Sequence, residues 1–191
     1  MAPRTEQQFE EIRESKKALI LDKALELFAT EGYYPTSISK IAEKAGISKG
    51  LIYNYFESKE DIIITIIHKG LDDLFRIFDP NKDGVLTKDE IRFFIEQMFD
   101  IMRKDLHFWK LYFMIFMQPP VLKLVEKKFM ELIQASLNML TNHFMSEGYD
   151  DPQTEAILLG ALLDGTGFHY VMNPENFPVE RIKERIIKMY C

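Results

Sequence analysis

An all-α fold of about nine helices is what this chain predicts, and three observations predict it. Apolar residues recur at helical spacing in segment after segment. No segment shows the strict apolar–polar alternation of a half-buried strand. The chain holds 9 Gly and 8 Pro against 47% hydrophobic residues, a mix rich in Met, Phe, Leu and Ile that favours helices over a strand-rich sandwich. The architecture read from this pattern is an N-terminal three-helix unit with a helix-turn-helix, followed by a larger helical domain.

The elements follow in order. Residues 8–31 form an amphipathic helix with Ile12, Leu19, Ala24, Leu27 and Phe28 near helical spacing. "EGYYP" stops it, since Gly32 suits the position after a helix and Pro35 blocks continuation. "TSISKIAEKAG" opens a short second helix capped at Thr36 or Ser37 and closed by Gly46. Ser48 caps a third, and Ser58 caps a long fourth helix that runs to "LFRIF". "TKDEIRFFIEQMFDIMRK" opens a fifth, and residues 105–117 give a sixth. "QPP" at 118–120 is a break before a helix over 121–146 that ends at Gly148. Pro152 and Pro174 bracket another, and Pro178 precedes the last.

The 191 residues suit one large domain or a small domain fused to a larger one. Cys191 is the one cysteine, so no intrachain disulfide or cysteine-based zinc site is available. The charged N-terminus lacks the apolar run of a signal peptide, and "LYFMIFM" is far too short to span a bilayer. A cytoplasmic protein without a membrane partner is expected. His68, His107, His143 and His169 lack metal-binding spacing, no nucleophile and base pair can be read, and "GTG" is too short for a phosphate loop. An enzyme is the poorest reading, and no cofactor is required. The net charge is −6, but residues 36–59 carry Lys40, Lys44, Lys49 and Lys59 against Glu43 and Glu57, a local excess of two positive charges. A basic face of that kind is what an acidic protein needs to meet phosphates.

Two short helices joined by a tight glycine turn are the parts of a helix-turn-helix. Ile38, Ile41, Ala42, Ile47, Leu51 and Ile52 can make its core, and Phe56 plugs it. Ser48, Lys49, Gly50, Tyr53 and Asn54 then face outward as short polar, cationic and aromatic groups suited to base edges and phosphates. The stretch "ALELFATEGYYPTSISKIAEKAGISKGLIYNYFESKEDI" strongly resembles the DNA-binding domain of TetR-family transcriptional regulators. The resemblance implies a DNA-binding domain at 1–57 and a helical ligand-binding and dimerisation domain at 58–191. It implies that Thr36 and Ser37 cap the second helix and touch phosphate. It places Lys49, Gly50, Tyr53 and Asn54 in the major groove, with Tyr55 and Lys59 anchoring phosphates. Asn54 departs from the His common at that position in relatives, which leaves the base preference open.

One such unit binds weakly, and two read the half-sites of a palindromic operator, so a homodimer is expected. "TEAILLGALLDGTGFHYV" offers a seam, with Ala156 and Gly160, and Ala161 and Gly165, four apart beside Ile157, Leu158 and Phe168. Ile182, Ile186 and Met189 of the last helix can join it. Residues 93–117 are dense in aromatic and Met side chains, a pattern that serves a core as readily as a pocket. The resemblance implies a small-molecule inducer held there. The candidate lining is Phe94, Met98, Met102, Trp109, Tyr112, Phe113, Phe116 and His143, for an apolar or aromatic compound.

"DPNKDGVLTKDE" matches the calcium loop pattern D-x-[DN]-x-[DN]-G-x₅-E. Asp79, Asn81 and Asp83 would give side-chain oxygens, Val85 its carbonyl, Thr87 a direct or water-borne ligand, and Glu90 both carboxylate oxygens. A turn with a T-x-x-E capping box explains most of the same letters without an ion. It does not require the alternation at 79, 81 and 83, which a chain of this length matches by chance roughly once in a thousand. Two readings stand: a DNA-binding repressor released by a small ligand, with calcium in a structural or modulating role, and alternatively a calcium-responsive helical protein in which the ion is the main input.

Overall fold

A computed structural model describes residues 6–191. Among these residues there are nine α-helices and no strand: α1 Glu6–Thr30, α2 Ile38–Ala45, α3 Lys49–Tyr53, α4 Lys59–Phe78, α5 Lys88–Lys104, α6 Leu106–Phe116, α7 Pro119–Ser146, α8 Pro152–Met172 and α9 Val179–Tyr190. The expected fold class is the one found. No described helix is long and apolar enough to cross a membrane.

Local chemistry sets the helix ends. Ser37 accepts from the Lys40 N–H at 3.2 Å, Ser48 from Leu51 at 3.1 Å and Ser58 from Asp61 at 3.1 Å. Each satisfies a backbone donor that the first helical turn leaves unpaired. Thr87 and Glu90 close a full capping box on α5. Gly46 ends α2 in the left-handed region at φ 64°, where a Cβ would be disfavoured. Pro119 and Pro120 start α7 earlier than expected from "QPP", because proline is tolerated in the first turn.

The chain divides into two compact units. One holds the described residues up to His68 together with Leu111–Val125, and the other holds Lys69–Lys110 and Glu126–Cys191. This division does not coincide with a boundary at 57/58, since the start of α4 and residues 111–125 cluster with the N-terminal helices. In the first unit α2 packs on both α1 and α3. Ile20, Phe28, Ile41, Ile52, Ile62 and Ile66 are buried together there, and Ile12 near the start of α1 stays exposed. In the second unit α5 packs on α8 and α9. Its core includes Ile95, Phe99, Trp109, Phe144 and Leu159.

Tyr33, in the turn after α1, is the tightest node of the first unit. Its phenol donates to Glu60 at 2.6 Å, and its N–H donates to the Gln118 side-chain oxygen at 3.0 Å. The Gln118 amide in turn donates to the Phe28 carbonyl at 2.9 Å, one of the acceptors α1 leaves open at its end. Burial and the Glu60 bond push the Tyr33 phenol well above its ordinary range. The same bond holds the Glu60 carboxyl below its usual value.

Glu26 is also held low, by hydrogen bonds from Lys23 and Lys44. A carboxylate lowered in the folded state stabilises it above the unfolded pKa, and that stabilisation is lost as pH falls through the folded value. Unfolding midpoints in urea should therefore fall as the pH drops below the ordinary glutamate value of 4.5. The fall should be shallower in Glu60→Gln than in the parent chain, and an unchanged acid limb would remove this role of the Tyr33–Glu60 bond.

Candidate nucleic-acid interface

Ser37, residues 48–50 and the end of α3 build one outward face. Ile38, Ile41, Ala42 and Ile52 point inward and are buried, with Ile47 and Leu51 half-buried, so the polar positions between them must point out. Ser37, Ser48, Lys49, Gly50, Tyr53 and Asn54 are all exposed. Tyr53 keeps 50% of its surface, and the Lys49 ammonium stands 5.9 Å from its ring centroid. An added Cβ at Gly50 would meet nothing within 4 Å, so Gly50 is not demanded by packing within the chain. Tyr55 is half-buried and Phe56 is a core residue.

Two expected contacts need correction, and so does the expected basic face. Thr36 is 1% exposed and its hydroxyl donates to the Gly32 carbonyl at 2.8 Å, so it locks the turn instead of facing a phosphate. Ser37, one residue on, takes the capping role alone. Lys59 is held by the chain itself: its ammonium donates to the carbonyls of Tyr33 at 3.0 Å and Tyr34 at 3.3 Å, and lies 4.3 Å from the Tyr33 ring centroid. The basic stretch is also more neutral than its letters. Lys40 pairs with Glu31 at 2.6 Å and Lys44 with Glu26 at 2.9 Å. Of the four lysines, Lys40 and Lys44 are ion-paired and Lys59 is taken up by two carbonyls, which leaves Lys49 as the one these bonds do not occupy. Sequence reasoning missed Tyr34, which is 76% exposed beside this face. Its aromatic neighbour in "EGYYP" was the available signal.

The residues expected around a ligand are divided. Tyr112, Phe113 and Phe116 belong to the first unit, where Tyr112 donates to the Ile67 carbonyl at 3.2 Å and stacks on Phe116 with centroids 5.9 Å apart. Phe94, Met98, Met102, Trp109 and His143 belong to the second. Met98 and Met102 are buried against Gly167 of α8, where an added Cβ would stand 3.1 Å from the Met102 methyl. His143 is buried, and its Nδ1 lies 2.8 Å from the Leu86 carbonyl, so Nδ1 carries the proton and donates. Its Nε2 is buried without a hydrogen-bond partner.

The 79–90 loop folds around its own side chains. Asp79 accepts from the N–H groups of Lys82 at 2.9 Å and Gly84 at 3.1 Å, and Asp83 accepts from Val85 at 2.8 Å. The Asn81 amide donates to Asp83 at 3.1 Å and to Glu90 at 3.0 Å. Lys82 at φ 61° and Gly84 at φ 76° make the sharp turn. Glu90 also accepts from both the N–H and the hydroxyl of Thr87. Val85 is 61% exposed and Leu86 is buried. Among the described residues, no group of three or more His, Cys, Asp or Glu side chains is placed to hold a metal ion.

Residues 20–66 match the family model of bacterial regulatory proteins, tetR family. The fatty acid metabolism regulator protein of Bacillus subtilis is 26% identical over 179 residues, covering 89% of this chain and 91% of the relative. Among solved structures, a transcriptional regulator FadR from B. subtilis in complex with stearoyl-CoA superposes with a TM-score of 0.68 at 23% identity, covering 91% and 96% of the two chains. The fatty acid degradation regulator FadR from Bacillus halodurans gives 0.69 at 22% identity, covering 92% and 94%.

Lys49→Ala and Lys59→Ala should separate contact from support. Lys49→Ala should weaken DNA binding and reduce the slope of log affinity against log salt by about 0.9, the loss of one phosphate contact. Lys59→Ala should lower stability and affinity while leaving that slope unchanged. Anisotropy titrations at several salt concentrations read both, and a reduced slope for Lys59→Ala would restore it as a phosphate contact.

Proposed function

We propose that this chain is a DNA-binding transcriptional regulator of the tetR family, whose model its residues 20–66 match, and that it is a repressor, homodimeric on a palindromic operator, released by a long apolar ligand. The observation that carries the DNA-binding half is the single exposed face of Ser37, Ser48, Lys49, Gly50, Tyr53 and Asn54 above a buried aliphatic core. Such a face presents side chains to the major groove while backbone and hydroxyl groups meet phosphates. The protein works in the cytoplasm, where its DNA lies, and needs no catalytic apparatus.

Dimerisation is supported by α8. Ile157, Ala161, Gly165 and Phe168 recur at helical spacing on one stripe, and Ile157, Leu158 and Phe168 keep 51%, 50% and 40% of their surface. Met189 of α9 is 48% exposed. Ala156 and Ile186 leave the expected seam because both are buried within their own chain. Apolar area of this kind on a helix is what a second copy covers.

For the ligand, the second unit offers Phe94, Met98 and Met102 along α5. Met side chains over Gly167 can shift to admit a flexible chain. The kinship to a fatty acid metabolism regulator, and the stearoyl-CoA bound to the B. subtilis FadR, favour a long-chain acyl-CoA over an aromatic compound. Ligand lowers DNA affinity only through unequal affinity for the DNA-bound and free states. An operator selected from genomic DNA should be bound at nanomolar protein, and micromolar palmitoyl-CoA should weaken that binding at least tenfold. Binding that palmitoyl-CoA leaves untouched would end the acyl-CoA reading and keep the DNA-binding one.

A second reading is a modulating calcium site at 79–90, favoured by the loop pattern together with its two left-handed residues and inward carboxylates. The Asn81 amide now bridges Asp83 and Glu90. For an ion to bind, that amide must turn to present its oxygen. Asp79, Asp83, Glu90, the Val85 carbonyl and Thr87 would complete the shell. Calorimetric titration of chelator-stripped protein should give heat from one site per chain, absent in Glu90→Gln. No heat up to millimolar calcium would reduce the loop to a capped turn.

A further inference from the structure

Tyr33 and Tyr34 are identical neighbours with opposite fates. Tyr33 keeps 5% of its surface, whereas Tyr34 keeps 76%, more than any other large apolar side chain among the described residues. A single exposed aromatic needs no explanation by itself. Tyr34 differs in how its base is held. The Lys59 ammonium donates to its carbonyl at 3.3 Å. Its ring meets the Tyr33 ring edge to face, with centroids 5.5 Å apart at 61°. Tyr33 is in turn anchored by Glu60, Gln118 and Lys59. Pro35 follows with its φ fixed by the ring, and the Thr36 hydroxyl closes the turn on the Gly32 carbonyl. These contacts use the Tyr34 carbonyl and ring. Its phenol oxygen has no hydrogen-bond partner among the described residues. The turn thus holds out one anchored donor three residues ahead of Ser37, where the DNA face begins.

We propose that the Tyr34 phenol donates to a DNA phosphate at the entry to α2, a contact that rests on the DNA-binding reading above. In a helix-turn-helix the first helix crosses the sugar–phosphate backbone while the second reads bases. A side chain just ahead of α2 therefore meets phosphate and not base edges. Tyrosine is among the side chains that make such contacts. Because Lys59 and Tyr33 anchor Tyr34 before DNA arrives, its side chain loses little freedom on binding. The charges around the turn pair off, Lys40 with Glu31 and Lys59 beside Glu60. The contact is accordingly a hydrogen bond from a neutral group, which releases no counter-ion. That property separates it in experiment from Lys49, whose ammonium does.

The test compares the full parent chain with Tyr34→Phe, which keeps the ring against Tyr33 and removes only the phenol oxygen, so its melting should match the parent. Anisotropy titrations use the selected operator and an unrelated duplex of equal length at several salt concentrations. Tyr34→Phe should weaken binding to both duplexes by about tenfold, the loss of one hydrogen bond to a charged oxygen, with the salt slope unchanged. Ethylation interference should show one phosphate in each half-site whose modification weakens the parent and costs Tyr34→Phe nothing further. Equal affinities for parent and Tyr34→Phe would overturn the contact, and weaker binding by Lys49→Ala in the same series would leave the DNA-binding reading standing. A loss confined to the operator would make Tyr34 a base contact and overturn the phosphate assignment. A lower melting temperature with the same interference pattern in both chains would make the phenol a structural group and overturn it too. If the parent binds neither duplex, the DNA-binding reading and this contact fall together.

Discussion

The turn at Tyr33 is the constraint on which the DNA face depends. A single residue there is gripped through its phenol by Glu60, through its N–H by Gln118 and through its carbonyl by Lys59, whose ammonium also covers its ring. These partners come from the start of α4 and the junction of α6 with α7, 27 and 85 residues away in sequence for the first two. Without that grip the segment from Gly32 to Ser37 would be held by the Thr36–Gly32 bond and the packing of α2 on α1 and α3. With it, the turn that leads into α2 is also tied to the start of α4 and to Gln118. The unfolded chain has no such bonds, so the node also links pH to stability.

Much of the fold was legible because its punctuation is local. Ser37, Ser48, Ser58 and the Thr87–Glu90 box act on backbone groups three residues away, and the letters alone define them. Gly46 and Gly148 mark left-handed positions that side chains disfavour. The helix-turn-helix core at Ile38, Ile41, Ala42 and Ile52 followed from helical spacing in the same way.

What sequence could not show was every interaction made at a distance. Lys40, Lys44 and Lys59 read as free cations because Glu31, Glu26 and the Tyr33 carbonyl face them only after folding. Thr36 and Ser37 are equally good caps by composition, and one residue of helix phase put the first inside and the second outside. The aromatic run at 93–117 looked like one lining, whereas its members fall in two compact units.

The claim at the centre of this account is that the face made by Ser37, Ser48, Lys49, Gly50, Tyr53 and Asn54 enters the major groove, once per protomer. Hydroxyl-radical and guanine-methylation footprinting on a selected operator tests it most directly. Two symmetric protected patches are expected on one side of the duplex, spaced by about 10 base pairs or a multiple, with guanine N7 shielded in each. Protection confined to the minor groove, or spread evenly without sequence preference, would contradict it.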